Sequence, residues 1–316
     1  MSGGFAFALP LLALVACLAV AWRAVPRRRA LVAVDEAAHP GLARLRRSTL
    51  LGRGLAMVVG AIAAVVTAST GGLGRGFAVA PAVFAAVQVV GVLAVDLLAR
   101  DDARTPGTAG LEVRRVRDFS ARGLVRVAVA AGAVLALFLA WAGAVAGPDD
   151  LGRAGRALTY SCTAGCDHGT LSPWPGSYYS VPMAVALLLV LAGVAIRVTV
   201  RRPRNGAVPE IVAVDDVVRR RSVESVLAAL GVAFTGSLAG AALPAGGRLA
   251  GLGQNHGPVV LQATGWCMVL AGLVALVCLV WCLVVLLLPG AGAGAEPDRG
   301  SLPASPGTGG REQARG

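Results

Sequence analysis

The sequence predicts an all-α, polytopic transmembrane helix bundle of about seven spans, with the N-terminus out and the C-terminus in. The chain of 316 residues is 56% hydrophobic and only 15% charged, with a mean hydropathy of +0.72, which is far too apolar for a soluble domain. Its apolar residues fall in blocks long enough to cross a hydrocarbon core of roughly 30 Å, which takes about 20 helical residues. Arginines cluster in alternate connections between the blocks. The lipid bilayer is therefore the expected solvent.

Seven apolar blocks make up a predicted transmembrane domain over residues 1–288. They cover approximately residues 5–22, 54–71, 77–98, 125–146, 181–199, 223–243 and 259–288. The first block lacks the basic start of a secretory signal, and the residues after Cys17 stay apolar up to Trp22, so we expect an uncleaved anchor rather than a lipoprotein signal. Residues 289–316 are rich in Gly, Ala, Pro and Ser, which predicts a disordered cytoplasmic tail.

The distribution of arginine predicts the orientation. All 29 basic residues are arginine, and 25 of them lie after spans one, three and five or in the tail. The other side holds only Arg75, Arg153, Arg156 and Arg248. The positive-inside rule places the arginine-rich side in the cytoplasm. The predicted location is the cell (plasma) membrane, in a multi-pass arrangement.

Two predicted cytoplasmic loops share a short pattern. Residues 31–36 read Leu-Val-Ala-Val-Asp-Glu and residues 211–216 read Ile-Val-Ala-Val-Asp-Asp, each after an arginine-rich stretch. Duplication would give a 3+1+3 parallel internal repeat, in which spans one to three correspond to spans five to seven. The alternative is chance similarity in a chain rich in Ala and Val.

The outer loop, residues 147–180, carries most of the residues with chemical potential. Cys162 and Cys166 lie there in an oxidising compartment, which predicts a disulfide bond between them. The alternative is a copper or zinc site built from soft and borderline ligands. Its ligands would be Cys162, Cys166, Asp167, His168 and, from the last outer loop, His256. Because a single cluster of this spacing is a weak metal motif, we predict no cofactor.

Aromatic residues at the end of this loop predict a belt at the membrane interface. Trp174, Tyr178 and Tyr179 lie just before span five, and such side chains are enriched where headgroups meet water. This interpretation is structural and needs no ligand.

Polar residues are rare within the predicted spans. Asp96 lies close to the cytoplasmic end of span three, before Arg100, which favours a carboxylate paired with arginine over a proton or ion site. Gln88 and Gln262 are placed for interhelical hydrogen bonds. Three cysteines of span seven are expected to be small packing residues: Cys267, Cys278 and Cys282.

Two glycine pairs predict close helix contacts. Gly143 and Gly147, and likewise Gly236 and Gly240, have the GxxxG spacing near the outer ends of spans four and six. Missing side chains at this spacing allow two helix backbones to approach closely.

No recognised enzyme motif is present, whether a phosphate-binding P-loop, a zinc-protease helix or a nucleophile elbow. The chain is therefore predicted not to be an enzyme. The arginine-rich loops suit a cytoplasmic partner protein or anionic lipid, and they lack the aromatic and motif support of a nucleic-acid site. The pattern does not determine the oligomeric state.

The alternating arginine loops, the Val-Ala-Val-Asp segments and the cysteine-bearing outer loop resemble multi-pass integral membrane proteins of actinobacterial type, a group with no named activity. The resemblance implies membrane residence and no site residues. The sequence favours a transport-related membrane component or subunit. The alternatives are a membrane sensor or scaffold with an extracytoplasmic Cys and aromatic loop, or an extracytoplasmic metal-handling protein.

Overall fold

The computed structural model describes residues 40–70, 72–101, 122–160, 169–199, 209–255 and 259–287. Several predictions fall outside these residues: the first span, the first copy of the repeated pattern and the tail. The candidate ligands Cys162, Cys166, His168 and His256 also lie outside them.

The described chain is mostly helical, as the sequence predicts. Its six α-helices, labelled α1 to α6 in chain order, are Pro40–Thr70, Arg75–Asp101, Arg122–Ala144, Ser177–Thr199, Pro209–Asn255 and Val259–Leu287. A 3₁₀ turn at Gly72–Gly74 joins α1 to α2. Each α-helix is long and apolar enough to cross a membrane, so the described chain has the build of a multi-pass membrane protein.

These helices correspond to six of the seven predicted spans but are longer than most of them. The largest difference is at α5, where the predicted span 223–243 is part of a helix of 47 residues. At 1.5 Å per residue, α5 is about 70 Å long, more than twice the hydrocarbon thickness. Hydropathy detects the apolar part of a helix but not its ends, because polar residues with good helix propensity continue it into water. Residues 211–216, predicted to be a loop, lie in the first turns of α5.

A small antiparallel sheet lies between α3 and α4, where the sequence predicts a loop. Its strands, β1 to β3 in both chain and spatial order, are Ala146–Gly147, Ala157–Tyr160 and Gly169–Leu171. Ala146 pairs with Leu158, and Thr159 pairs with Thr170. The all-α prediction is wrong in this region, because strands of two to four residues are too short to show an alternating pattern.

Consecutive helices run in opposite directions. Gly60 of α1 faces Phe84 of α2, and Gly246 of α5 faces Met268 of α6. Helices α1, α3 and α5 therefore end where α2, α4 and α6 begin, and the three strands lie at this end, called here the sheet end. The opposite end is called the basic end, because Arg44, Arg46 and Arg47 of α1 and Arg219, Arg220 and Arg221 of α5 lie towards it.

Helix α5 lies at the centre of the bundle. It packs against α2, α3, α4 and α6, and 72% of its apolar window is buried, compared with 11% for α1. The main core cluster joins small and medium side chains from several helices, among them Ala82 of α2, Leu135 of α3, Met183 of α4 and Ala233 of α5.

The two predicted glycine contacts have different outcomes. A Cβ atom on Gly236 would lie 2.5 Å from Cβ of Pro81, and one on Gly240 would lie 3.2 Å from the carbonyl oxygen of Phe77. This pair allows α5 to approach α2, as predicted. A Cβ atom on Gly143 would meet no other atom within 4 Å. The predicted close helix contact of Gly143 is wrong, because α3 ends one residue later and the chain turns into β1.

The 3+1+3 repeat is not confirmed. In that scheme α1 corresponds to α5 and α2 to α6, so the two members of each pair should have similar surroundings. Instead α5 is central and α1 is peripheral. The α1–α2 and α5–α6 hairpins are both antiparallel, but they occupy different positions in the bundle.

Candidate functional site

Trp174 anchors the sheet to the helices. Its side chain is fully buried, and the indole Nε1 donates a hydrogen bond of 3.0 Å to the carbonyl oxygen of Ala142 in α3. The ring belongs to a core cluster that includes Ala245 and Leu249 of α5 and Met268 of α6. The sheet end is therefore held on three helices at once.

The predicted aromatic belt is wrong for two of its three residues. Trp174 is 0% exposed and Tyr179 is 6% exposed, so neither side chain faces lipid headgroups. Tyr178 is half-buried, and its ring meets that of Tyr179 edge-on with 5.1 Å between centroids. Composition identifies aromatic residues near an interface, but their burial depends on how the sheet folds back over the bundle.

Asp149 organises the turn between β1 and β2. Its Oδ1 accepts hydrogen bonds from the backbone N–H groups of Leu151 and Arg153, at 3.1 and 2.9 Å, and its Oδ2 pairs with the Arg153 guanidinium at 2.7 Å. Desolvation of the carboxyl opposes ionisation, but these hydrogen bonds outweigh it and lower the pKa of Asp149. The guanidinium group of Arg153 is therefore engaged in an ion pair within this turn.

Two glycines fix the next residues of this turn against the start of α4. Gly155 has a φ of +72°, a left-handed conformation that favours glycine, and a Cβ atom there would collide with Oγ of Ser177. A Cβ atom on Gly176 would lie 2.5 Å from the carbonyl oxygen of Gly155. The backbone N–H of Trp174 donates to the carbonyl oxygen of Arg156 at 2.8 Å. The position of Arg156 is consequently set by backbone packing.

Three arginines and two tyrosines converge at the sheet end and are called here the arginine–tyrosine cluster. Its members are Arg75, Arg156, Arg248, Tyr178 and Tyr179. The guanidinium carbon of Arg156 lies 4.0 Å from the centroid of the Tyr178 ring, and that of Arg75 lies 5.1 Å from it. Arg248 donates from Nη1 to the carbonyl oxygen of Ser172, and Tyr179 lies within electrostatic range of both Arg156 and Arg248.

The cluster concentrates positive charge without a described counter-ion. Within the described part of the chain, no carboxylate lies at ion-pair distance from Arg75, Arg156 or Arg248. The two contacts with Tyr178 put the guanidinium carbons of Arg75 and Arg156 no more than about 9 Å apart, where their repulsion is about 0.5 kcal/mol in water. Each cation–π contact contributes roughly 0.5–1 kcal/mol at exposed sites. The ring therefore offsets the repulsion and leaves a stable cationic surface.

Polar side chains inside the spans mostly bond within the protein. Gln88 is buried and its Nε2 donates to the carbonyl oxygen of Ala56 at 2.8 Å, which confirms the predicted interhelical bond between α2 and α1. Thr235 donates to the carbonyl oxygen of Gly231 in its own helix. Among the described residues Gln262 has no such partner, although its backbone would crowd a Cβ atom on Gly253. The side chain of Asp96 is not among those described, so its pairing stays a prediction.

The sequence did not lead us to predict a buried carboxylate in α5. Glu224 is 7% exposed, and its Oε1 lies 3.2 Å from Nε of Arg220. Nearby, Nη2 of Arg53 in α1 donates to Oγ of the buried Ser222 at 3.3 Å. The signal was present, since Glu224 lies inside the predicted span 223–243 and follows Arg220 by one helical turn, a spacing at which opposite charges meet.

The described residues neither support nor test the predicted cysteine chemistry of the outer loop. Their three cysteines are free thiols, so the structure lends no support to a disulfide bond, and they hold no group of three His, Cys, Asp or Glu side chains that could bind a metal ion. Cys282 is buried and would touch a Cβ atom on Gly231, which confirms its packing role. Cys267 is exposed, so the same prediction is wrong for it.

Comparison with known proteins finds no match: no protein-family model, no curated protein and no solved structure is similar to this chain. The function is therefore inferred from the geometry and the charge pattern of this chain.

Proposed function

We propose that this protein is a membrane-embedded sensor, which recognises a ligand at the sheet end and contacts a partner protein at the basic end. The observation that carries the proposal is α5, one continuous helix of 47 residues that joins the two ends. A packed helix can carry a shift from one end to the other. Pro244 lies inside α5, one turn before Arg248, and removes one backbone hydrogen bond there.

Both ends of α5 are suited to this role. At the sheet end, Ala245 and Leu249 pack against Trp174, and Arg248 bonds to Ser172. At the basic end, the residues of α5 before its apolar window, which starts at Arg220, extend about 16 Å at 1.5 Å per residue. They project beyond the bilayer where a partner can reach them.

The orientation and location follow from charge. The positive-inside rule places the sheet end outside and the basic end in the cytoplasm. We further propose seven spans, with residues 5–22 as the first, in the plasma membrane. The arginine-rich cytoplasmic side would contact the partner protein, and the protein would not be an enzyme.

A transport-related component is the second candidate, and one atom favours it. Oγ of Ser237, in the middle of α5, is buried and has no hydrogen-bond partner among the described residues. A polar atom left unsatisfied at mid-membrane depth is costly and is typical of a substrate path. The remaining buried polar side chains of the mid-span region, Gln88 and Thr235, bond to backbone oxygens instead, as expected of a solid bundle.

Cysteine accessibility separates the two candidates. In a variant without native cysteines, single cysteines replace Ser237 in mid-span and Thr170 on the exposed strand β3. Intact cells are then treated with a small, hydrophilic, membrane-impermeant thiol reagent, and so are inverted membrane vesicles.

A sensor with a solid bundle predicts labelling of Thr170→Cys from outside and no labelling of Ser237→Cys from either side. Val65→Cys, on the exposed face of α1, is the matched lipid-facing control and should not react either. Labelling of Ser237→Cys would reveal a water-filled path and favour transport. Labelling of Thr170→Cys only from the cytoplasmic side would reverse the orientation.

A further inference from the structure

The geometry points to a binding site for a phosphate group at the sheet end, formed by Arg75 and Arg156 on the Tyr178 ring with Arg248 beside Tyr179. This inference rests on the proposed function, because it names the chemistry that the sensor recognises. The phosphate site is tested by binding to the purified protein, whereas the sensor proposal is tested by cysteine labelling. Either proposal can therefore fail while the other stands.

The three guanidinium groups come from separate parts of the chain. Arg75 is the first residue of α2, Arg156 lies in the β1–β2 turn and Arg248 lies near the end of α5. Local sequence does not bring them together, since the tight packing of Gly155 against Ser177 delivers Arg156 to this place. Because no described carboxylate lies at ion-pair distance from these three charges, an anionic group that joins them is attracted by all three.

The way the arginines are held suits a phosphate group. The guanidinium groups of Arg75 and Arg156 lie over the Tyr178 ring. An arginine that stacks on an aromatic ring keeps the N–H donors at its edges available. A phosphate presents several acceptor oxygens, and arginine binds such groups through paired, charge-assisted hydrogen bonds. A carboxylate offers only two oxygens and would engage fewer of these donors.

The depth of the cluster allows two sources of phosphate. Arg75 and Ser177 are the first residues of two candidate spans, so the cluster lies where apolar helix gives way to the surface. Phospholipid headgroups carry phosphate at this depth, and a soluble phosphate compound can reach the same place from water. The shared chemistry is the phosphate group, and the two arms of the experiment distinguish its source.

In the first arm, the full-length protein is placed in nanodiscs of neutral phosphatidylcholine, and binding of radiolabelled inorganic phosphate is measured by scintillation proximity. In the second arm, the protein in detergent is titrated with phosphatidylglycerol, and bound lipid is counted by native mass spectrometry. The test variant is Arg75→Gln with Arg156→Gln. The matched control is Arg122→Gln with Arg126→Gln, which removes two exposed arginines from the basic end of α3.

We expect the test variant to weaken binding at least about 10-fold in one arm, because each lost charge-assisted hydrogen bond contributes more than a neutral one. The control variant should change the same affinity less than about 2-fold. An effect in the first arm assigns a soluble phosphate ligand, and an effect confined to the second assigns a lipid. Arg156→Lys controls for loss of folding, because it keeps the positive charge and loses only the planar guanidinium group. It should bind phosphate with an affinity between those of the wild type and the test variant.

The inference is overturned if the wild-type protein binds neither probe, or if test and control variants weaken binding equally. Neither result affects the cysteine-labelling experiment, in which labelling of Ser237→Cys would contradict the sensor proposal.

Discussion

Helices α5 and α1 have the same mean hydropathy over their apolar windows, yet 72% of the α5 window is buried and only 11% of the α1 window. Hydropathy therefore determines that both helices enter the membrane and says nothing about which one becomes the core. The difference lies in the number of neighbouring helices. Helix α5 packs against α2, α3, α4 and α6, whereas α1 packs mainly against α2 and exposes Leu55, Ile62 and Val65.

The physical reason is that lipid is as apolar as leucine. Burying a large side chain between helices gains little over leaving it in lipid, so packing density and polar bonds decide the centre of the bundle. Small residues permit close packing in both helices, since Gly236 and Gly240 of α5 and Gly52 and Gly60 of α1 all lie close to α2. Helix α1 is attached to α2 on one face, through contacts such as Gly60 with Phe84, and leaves its other faces exposed.

The largest expected effect is that of replacing Trp174, which packs over the sheet end of α5. Trp174→Ala should lower the free energy of unfolding by about 3–5 kcal/mol, the usual range for a buried large aromatic residue, because it empties the contact with Ala245 and Leu249. The measurement is unfolding in sodium dodecyl sulfate followed by circular dichroism. Trp266→Ala is the control, since Trp266 is 53% exposed. Equal losses would mean that the sheet does not cover α5.

Glycine substitutions test the contrast between the two helices directly. Gly236→Ala places a Cβ atom 2.5 Å from Cβ of Pro81, and overpacking of this kind costs about 1–3 kcal/mol. Gly54→Ala in α1 meets no other atom within 4 Å and should be neutral or stabilise by up to about 1 kcal/mol through helix propensity. The same unfolding titration measures both. The contrast fails if the two substitutions have the same sign and size.

The hydrogen bond that holds α1 is expected to contribute less. Gln88→Leu removes the bond to the carbonyl oxygen of Ala56, so the free energy of unfolding should fall by about 0.5–1.5 kcal/mol. Gln262→Leu is the matched control, because Gln262 bonds to no described residue, and its effect should be smaller. A larger loss for Gln262→Leu would assign it an interhelical bond after all.

The smallest expected effect depends on pH. Because the folded-state pKa of Asp149 lies below its ordinary value of 3.8, the ionised carboxylate stabilises the folded protein above that value, and this stabilisation is lost as the pH falls through the folded pKa. The midpoint of thermal unfolding should therefore stay level down to about pH 4 and drop below it. Asp149→Asn should reduce this drop. An unchanged drop would place the pH dependence elsewhere.

Parts of the candidate site could be read from the sequence and parts could not. The sequence predicts that Arg75, Arg156 and Arg248 lie on one side of the membrane, since charge distribution is a property of the sequence. The meeting of Arg75 and Arg156 at Tyr178 was not predictable, because it depends on the left-handed turn at Gly155 and on the docking of Trp174 under the sheet.

The sequence by itself determined that this chain is helical, apolar and threaded back and forth with its arginines on alternate connections, because transfer of side chains to lipid depends on composition along each span. The tertiary structure alone decided that α5 is the core, that Trp174 is an anchor and that Arg75 and Arg156, far apart in the chain, share the ring of Tyr178. These features arise from packing between segments far apart in the chain, which no local pattern records.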